Sequence, residues 1–193
     1  MGDSILRELL RGKGAHVDPV ACVEDVSADL AARVLAGYPH SIWQIVAHMN
    51  YWMEYDLGAI AGHGRPYPEK AIESWPENPG PVDNDPSDSE SESKSRSKDE
   101  QWQSVTRRLA DLLARMELLA ESDTEALARK VKRLGPGQSS IESTVHAMLW
   151  QIAAHNSYHL GQIALLRRVF GAWPPRRGGD TWGDSQQAKG SLR

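Results

Sequence analysis

Apolar residues recur at three- and four-residue spacing along most of this chain, which is the pattern of amphipathic helices. The first segment with this pattern, Ser4–Leu10, is short and ends before Gly12. A second helix is predicted over residues 18–37, because Asp18 followed by Pro19 is typical of a helix start. The apolar positions that define this second helix are Val23, Val26, Leu30 and Val34.

Three longer segments follow the same periodicity. Ser41 precedes a helix predicted over Ile42–Ile60, and further helices are predicted over residues 99–120 and 140–169. Residues 124–134 are predicted to be a connection with some extended structure, and no alternation typical of strands competes with the helical pattern. Four substantial helices and one short helix indicate an all-α four-helix bundle with at least one long crossover connection.

Two segments lack the helical pattern. Residues 77–98 are rich in Pro, Ser and charges of both signs, so they cannot bury enough apolar surface to offset the entropy of ordering. We predict a flexible acidic, Ser-rich loop insertion there, and a polar tail over residues 176–193. The chain is therefore predicted to have one domain, residues 1–175, followed by that tail.

Composition narrows the functional classes. The formal net charge of −4 provides no basic surface for nucleic acid, and no segment approaches the roughly 20 apolar residues that cross a membrane. A single cysteine, Cys22, excludes an internal disulfide and favours a reducing compartment, so a cytoplasmic location is expected. Cys22 as a covalent nucleophile is an alternative, but the helix-like segment around it favours a small core residue.

Three histidines are the strongest candidates for chemistry. His155 and His159 are four residues apart, so they lie on one face of the last predicted helix, and this face also carries core residues. His48 lies on the apolar side of the helix Ile42–Ile60. One interpretation is a three-histidine metal site with an open coordination position, which is the catalytic pattern for zinc. The other interpretation is three separate core histidines, each bonded to backbone or to a carboxylate.

The remaining histidines do not fit this group. His146 is nine residues before His155 and faces the opposite side of its helix, whereas His16, His40 and His63 fall in turns or loops and are predicted to lie on the surface. Glu54 and Tyr55 lie about two turns beyond His48, and either could reach the pocket, although Glu54 is predicted to face solvent.

At these residues the sequence resembles the DinB/YfiT-like family of metalloenzymes. The matching segments run from Pro39 through His48 and from His155 through Ile163, and the H-x-x-x-H-x-G-Q motif in the second is fairly specific. The resemblance extends over residues 5–175, with the Arg-Arg-Val-Phe-Gly-Ala-Trp-Pro-Pro segment resembling the family's usual helix end. It implies that His48, His155 and His159 bind one divalent metal inside a four-helix bundle with long crossovers.

The resemblance also implies an activity. Relatives of this fold include thiol S-transferases and isomerases that use low-molecular-weight thiols such as bacillithiol, mycothiol or glutathione. A metal-dependent thiol S-transferase acting on a small-molecule substrate is therefore expected. Three imidazoles suit Zn, Ni, Cu or Fe, and Zn²⁺ is the default expectation, followed by Ni²⁺. Candidate pocket residues are Trp43, Trp52, Tyr158 and Gln162, and core packing is the alternative role for each aromatic residue.

Other functions remain open. A metal-dependent hydrolase would use the same histidines, although the sequence offers no obvious carboxylate on their faces to act as a general base. A non-enzymatic metal-binding stress-response protein is the third hypothesis. The family often forms homodimers, so a homodimer is compatible with the resemblance, although no apolar stripe seen in the sequence demands it.

Overall fold

The computed structural model describes residues 2–13, 15–81 and 97–178. It is mainly helical, as predicted, with a small two-stranded sheet. Most of the predicted 77–98 loop and of the 176–193 tail lies outside the described residues. The helices are α1 (Ser4–Leu10), α2 (Ala28–Ala32), α3 (Ile42–Ile60), α4 (Lys98–Ala120), α5 (Thr124–Ala128) and α6 (Val145–Val169); the strands are β1 (Lys130–Leu134) and β2 (Ser140–Thr144); 3-10 turns lie at Ala71–Ser74 and Pro136–Gln138.

The ends of α3 follow from local sequence. The Ser41 side chain accepts from the backbone N–H of Gln44, and the Gln44 side chain accepts in return from the N–H of Ser41. This reciprocal pair satisfies two of the N–H groups that a helix start leaves unbonded. Gly62, with a φ of +82°, follows the last turn and allows the chain to leave the helix.

The helices α1, α4, α3 and α6 pack in a ring. Helix α3 contacts both α4 and α6, and α1 contacts the same two helices. Side chains that are almost fully buried fill the space between them; among these are Ile45, Met49, Met53, Leu112, Met116 and Met148. The long helices α3 and α6 therefore meet along a core face, and His48, His155 and His159 lie on these two helices.

The long helix predicted over residues 18–37 is wrong. Residues 19–25 form successive turns, and only the five residues of α2 are helical. A tertiary contact competes with the helix, because the buried guanidinium of Arg167 donates to the carbonyl of Cys22 and to the carboxylate of Asp25. Ser27 then starts α2 separately by accepting from the N–H of Leu30.

The extended structure predicted within residues 124–134 is present as β1, but the predicted start of the last helix at residue 140 is wrong. Strands β1 and β2 pair antiparallel around the turn at Pro136–Gln138, so the first five residues assigned to the last helix belong to a hairpin instead. The hairpin packs on α3 and α6, and the Tyr55 hydroxyl donates to the carbonyl of Leu134 over 2.6 Å. This contact places the hairpin beside the histidines.

Among the helices of the described residues, none combines the length and the apolar character that crossing a membrane requires.

Candidate metal centre

The three histidines predicted from the sequence converge in the structure. His48 on α3 and His155 and His159 on α6 each offer a ring nitrogen, and these atoms all lie within 4.8 Å of one another. The Nε2 atom of His155 is 3.3 Å from Nε2 of His48 and 3.1 Å from Nε2 of His159. Three Nε2 atoms therefore point at one small volume between the two helices.

The outer nitrogen of each ring is held by an oxygen atom. Nδ1 of His48 donates to the backbone carbonyl of Ser74 over 3.1 Å, and Nδ1 of His159 lies 2.7 Å from Oε1 of Gln162. Nδ1 of His155 lies 3.4 Å from Oδ1 of Asn156. Because a carbonyl oxygen only accepts, these contacts place the ring protons on Nδ1 and turn the Nε2 lone pairs inward.

The protonation states of the cluster suit a metal. Burial lowers the pKa of His48 to about 3 and that of His159 to about 4, and it also lowers the pKa of His155. All three rings are therefore neutral near pH 7, and neutral imidazole is the form that binds metals. Three neutral acceptors so close together repel unless a cation lies between them. The donor set thus fits a divalent ion such as Zn²⁺ or Ni²⁺.

An aromatic stack covers the cluster on the α3 side. The Trp75 ring lies 3.8 Å from the His48 ring at an interplanar angle of 8°, and its other face lies 3.7 Å from the His40 ring at 7°. The segment that follows Trp75 is hydrogen-bonded to the start of α3. The Gln44 side chain donates to the carbonyl of Pro76 over 2.8 Å, and the Ser41 hydroxyl donates to the carbonyl of Pro79. Trp75 thus holds His48 in place.

Sequence reasoning missed this stack. Trp75 follows a 3-10 turn far from the histidines in sequence and carries no periodic signal. The prediction that His40 is a surface residue is wrong in part, since its ring is half-buried against Trp75 and its Nδ1 is buried without a hydrogen-bond partner among the described residues. His16 is half-buried as well, with Nε2 2.7 Å from the Ser157 hydroxyl, whereas His63 is exposed as predicted.

A cavity of about 420 Å³ opens beside His155. Trp52 and Tyr67 line it, with ring centroids 5.4 Å apart, and another wall is formed by the hairpin residues Leu134, Gly135, Pro136 and Ile141. The cavity also contains the buried carboxylate of Asp56, which accepts from Arg133 over 2.7 Å. The histidine cluster is therefore adjacent to a space large enough for a small molecule.

Asp56 is the carboxylate that the sequence analysis did not find. It is eight residues after His48 on α3, and this spacing turns it about 80° around the helix axis from His48, so the sequence signal for a shared face is weak. Burial raises the pKa of Asp56 to about 6, and the Arg133 guanidinium acts in the opposite direction.

Of the four predicted pocket residues, Trp52 lines the cavity and Trp43 lies in the core. Trp43 is buried against Trp102 with ring centroids 5.5 Å apart, in the core role given as the alternative. Tyr158 is 67 % exposed, although its ring centroid lies 5.2 Å from that of His159. Gln162 contacts His159 directly.

Other candidates are engaged elsewhere. His146 lies 3.0 Å from the Asp3 carboxylate, away from the cluster, and Glu54 pairs with Arg108 over 2.6 Å. Cys22 is fully buried, and burial raises the pKa of its thiol to about 12. A thiol with that pKa carries almost no thiolate at neutral pH, which argues against a nucleophilic role.

Comparison with known proteins supplies one match. The family model described as the DinB superfamily matches residues 19–163, which contain all three clustered histidines. No curated protein and no solved structure matches the chain.

Proposed function

The chain belongs to the DinB superfamily, and from this premise we propose that it is a metal-dependent enzyme that transfers a low-molecular-weight thiol to a small-molecule electrophile. The observation that carries the proposal is the convergence of three Nε2 atoms beside a cavity that His155 itself lines. Three protein ligands leave a coordination position for a reactant, as in catalytic sites.

In this proposal, some residues bind the metal and others orient the metal-binding rings. His48, His155 and His159 hold the ion through Nε2, and Ser74, Asn156 and Gln162 keep the three rings oriented. A divalent ion held there supplies Lewis acidity, which lowers the pKa of a bound thiol and favours thiolate at neutral pH.

The cavity accommodates the electrophile. Trp52 and Tyr67 provide an apolar wall, and Asp56 with Arg133 provides a polar patch able to orient a substrate by hydrogen bonds. Zn²⁺ or Ni²⁺ is the proposed metal. We also propose that the ring of α1, α4, α3 and α6 is the family's four-helix bundle with a short first helix, and that the protein is cytoplasmic.

Thiol conjugation by the full chain tests the proposal. The protein is loaded with Zn²⁺ or Ni²⁺ and assayed with a panel of small thiols and monochlorobimane. Conjugation that requires the metal and disappears in His155→Ala is expected, while His146→Ala, a histidine on the same helix outside the cluster, retains it. A metal-loaded protein that conjugates no thiol would contradict the transferase assignment.

Asp56 favours a second candidate, a metal-dependent hydrolase. Its carboxylate lines the same cavity as His155 and has a pKa raised to about 6, which suits a general base acting on water near neutral pH. Turnover of esters or amides that is lost in Asp56→Asn, without thiol conjugation, would select the hydrolase. Metal binding without turnover of either substrate class would leave a non-enzymatic metal-binding protein.

A further inference from the structure

The turn that joins β1 and β2 contains a residue in a conformation that its type rarely adopts. Gln138 has a φ of +59° and follows Gly137, which has a φ of +63°. Glycine adopts this left-handed region freely, and the short side chains of Asn and Asp tolerate it, but it is strained for a longer side chain. Strained residues persist where surrounding contacts hold them, and they are common at functional sites.

The side chain of Gln138 supplies such contacts. Its Nε2 donates to the backbone carbonyl of Tyr67 over 2.7 Å, and its Oε1 accepts from the backbone N–H of Tyr67 at 3.3 Å. One amide group therefore bonds both backbone polar groups of a residue that is 71 positions away in the sequence. We call this pair of hydrogen bonds the Gln138–Tyr67 clasp.

The clasp holds a segment with few backbone donors. Tyr67 lies between Pro66 and Pro68, neither of which has a backbone N–H, and residues 63–68 form no helix or strand. The N–H of Tyr67 is thus the only backbone donor of this triplet, and the Gln138 side chain is its partner. The position of Tyr67 therefore depends on the turn of the hairpin.

The clasp joins two walls of the cavity beside His155. The Tyr67 ring lines one wall, and the turn residues Gly135 and Pro136 line another. Gln138 itself is exposed and does not line the cavity, so it acts on the cavity only through the two segments that it joins. Breaking the clasp would free these two walls to separate.

The clasp can open without loss of the hairpin. Both of its hydrogen bonds are exposed to solvent, so water can replace either partner at a small cost in free energy. The turn has its own hydrogen bonds, since the Gly135 N–H donates to the carbonyl of Ser139 over 2.7 Å and the Ser139 hydroxyl donates to that of Pro136 over 2.9 Å. Release of Gln138 would therefore free residues 66–68 and leave the turn in place.

We propose that the Gln138–Tyr67 clasp is a gate to the cavity, and that Gln138 is a positioning residue that sets the size limit for molecules that enter. This inference rests on the proposed function, in which the cavity accommodates the electrophile. With the clasp closed, the cavity of about 420 Å³ admits a small electrophile. A bulkier molecule enters only when the clasp opens and residues 66–68 move away from the turn.

Amide hydrogen exchange measured by NMR on the full chain tests whether the clasp holds Tyr67. Gln138→Gly suits the positive φ and removes both hydrogen bonds, so the Tyr67 N–H should exchange roughly tenfold faster or more. Ser139→Ala removes a hydrogen bond within the same turn and should leave that exchange unchanged. Equal exchange of the Tyr67 N–H in the wild type and Gln138→Gly would overturn the proposal.

Labelling of a cysteine placed in the cavity tests the size limit without relying on catalysis. Ile152→Cys puts a thiol on the α6 wall of the metal-free full chain, and buried Cys22 provides little background. Adding Gln138→Gly should raise the labelling rate about tenfold or more for bulky fluorescein maleimide, and less than about twofold for small iodoacetamide. Adding Ser139→Ala should change neither rate.

Circular dichroism checks that each labelled variant is folded. An equal increase for both reagents, which a general loosening of the fold would produce, would contradict the size limit. So would an unchanged rate for the bulky reagent in the variant that carries Gln138→Gly.

Kinetics of thiol transfer separate this inference from the proposed function. With a bulky electrophile, Gln138→Gly should lower KM severalfold, whereas KM for a small electrophile and the affinity for Zn²⁺ should stay at the wild-type level. A metal-loaded wild type that conjugates no thiol would contradict the transferase alone, and the labelling rates would still decide the gate. Conjugation with an unchanged preference between large and small electrophiles in Gln138→Gly would contradict the gate alone.

Discussion

The histidine cluster and the Asp56–Arg133 pair both place polar groups of α3 in the interior, but they are satisfied in different ways. Asp56 carries a negative charge that meets the Arg133 guanidinium at 2.7 Å, and Arg133 also donates to Gln151 over 2.7 Å. In the cluster, three neutral rings turn acceptor nitrogens toward one another at 3.1 and 3.3 Å. The two members of the pair are partners within the chain, whereas the partner proposed for the cluster is a divalent cation.

This difference predicts which substitutions affect metal binding and which affect stability. A residue of the cluster should control the affinity for metal, because the proposed ion would bind to its ring nitrogen. A residue of the pair should mainly control the pH dependence of folding. The four predictions below test this division, from the largest expected effect to the smallest.

Removing a ligand should have the largest effect. His155→Ala deletes the nitrogen that lies between the other two, so affinity for Zn²⁺ should fall by more than the roughly hundredfold upper range for loss of an outer hydrogen bond. Calorimetric titration measures this loss. His146→Ala, which removes a histidine bound to Asp3, should leave the affinity unchanged. Equal affinities for the two variants would place the metal elsewhere.

The Asp56–Arg133 pair should make the free energy of unfolding depend on pH. The pKa of Asp56 is raised from 3.8 to about 6, so the unfolded state ionises first as pH rises, and wild-type stability falls between about pH 4 and 6. Relative to Asp56→Asn, the wild type should lose about 3 kcal/mol over that interval. Urea unfolding at several pH values measures the difference. A relative gain by the wild type would mean that the Arg133 contact outweighs burial.

Substituting Gln162, whose side-chain amide orients His159, should have the next largest effect on metal affinity. Gln162→Leu removes the oxygen 2.7 Å from Nδ1 of His159, and metal affinity should fall by roughly 10- to 100-fold. Gln162→Glu keeps an oxygen acceptor at that position, so its metal affinity should stay near the wild-type level. If both variants bind equally weakly, Gln162 acts through helix packing and not through His159.

The aromatic stack should have the smallest effect. Trp75→Ala removes a ring that lies 3.8 Å from His48, and a stacked pair contributes about 0.5–1.5 kcal/mol, or roughly two- to tenfold in the Kd for metal. Trp75→Phe retains part of the stacking and should fall between the wild type and Trp75→Ala. Competition with a chromophoric chelator resolves differences of this size. An unchanged Kd in Trp75→Ala would show that Ser74 alone positions His48.

Sequence reasoning was most successful where local signals were strong. The Ser41 cap and the periodicity of Ile42–Ile60 predicted α3 with its observed bounds. The same helical geometry placed His48, His155 and His159 on two core-facing surfaces and separated His146 from them. These predictions depend only on spacing along one helix, which the sequence shows directly.

The remaining features depend on contacts between distant segments. Arg167 holds residues 22 and 25, so the predicted second helix gives way to turns. Trp75 reaches His48 from an irregular segment, and the hairpin consists of strands only five residues long. None of these segments has a periodic sequence pattern longer than a turn or two, so their conformations depend on tertiary packing. Asp56 is also difficult to predict, because its spacing of eight residues from His48 turns it about 80° around the helix axis.

X-ray absorption spectroscopy of the zinc-loaded full chain tests the central claim most directly, because it reports the atoms that bind the ion. With one ion per chain, we predict a coordination shell that includes three imidazoles with nitrogen atoms at about 2.0–2.1 Å. In His155→Ala the imidazole contribution should fall from three rings to at most two. A chain that binds no zinc, or that binds it only through oxygen atoms, would contradict the three-histidine metal centre.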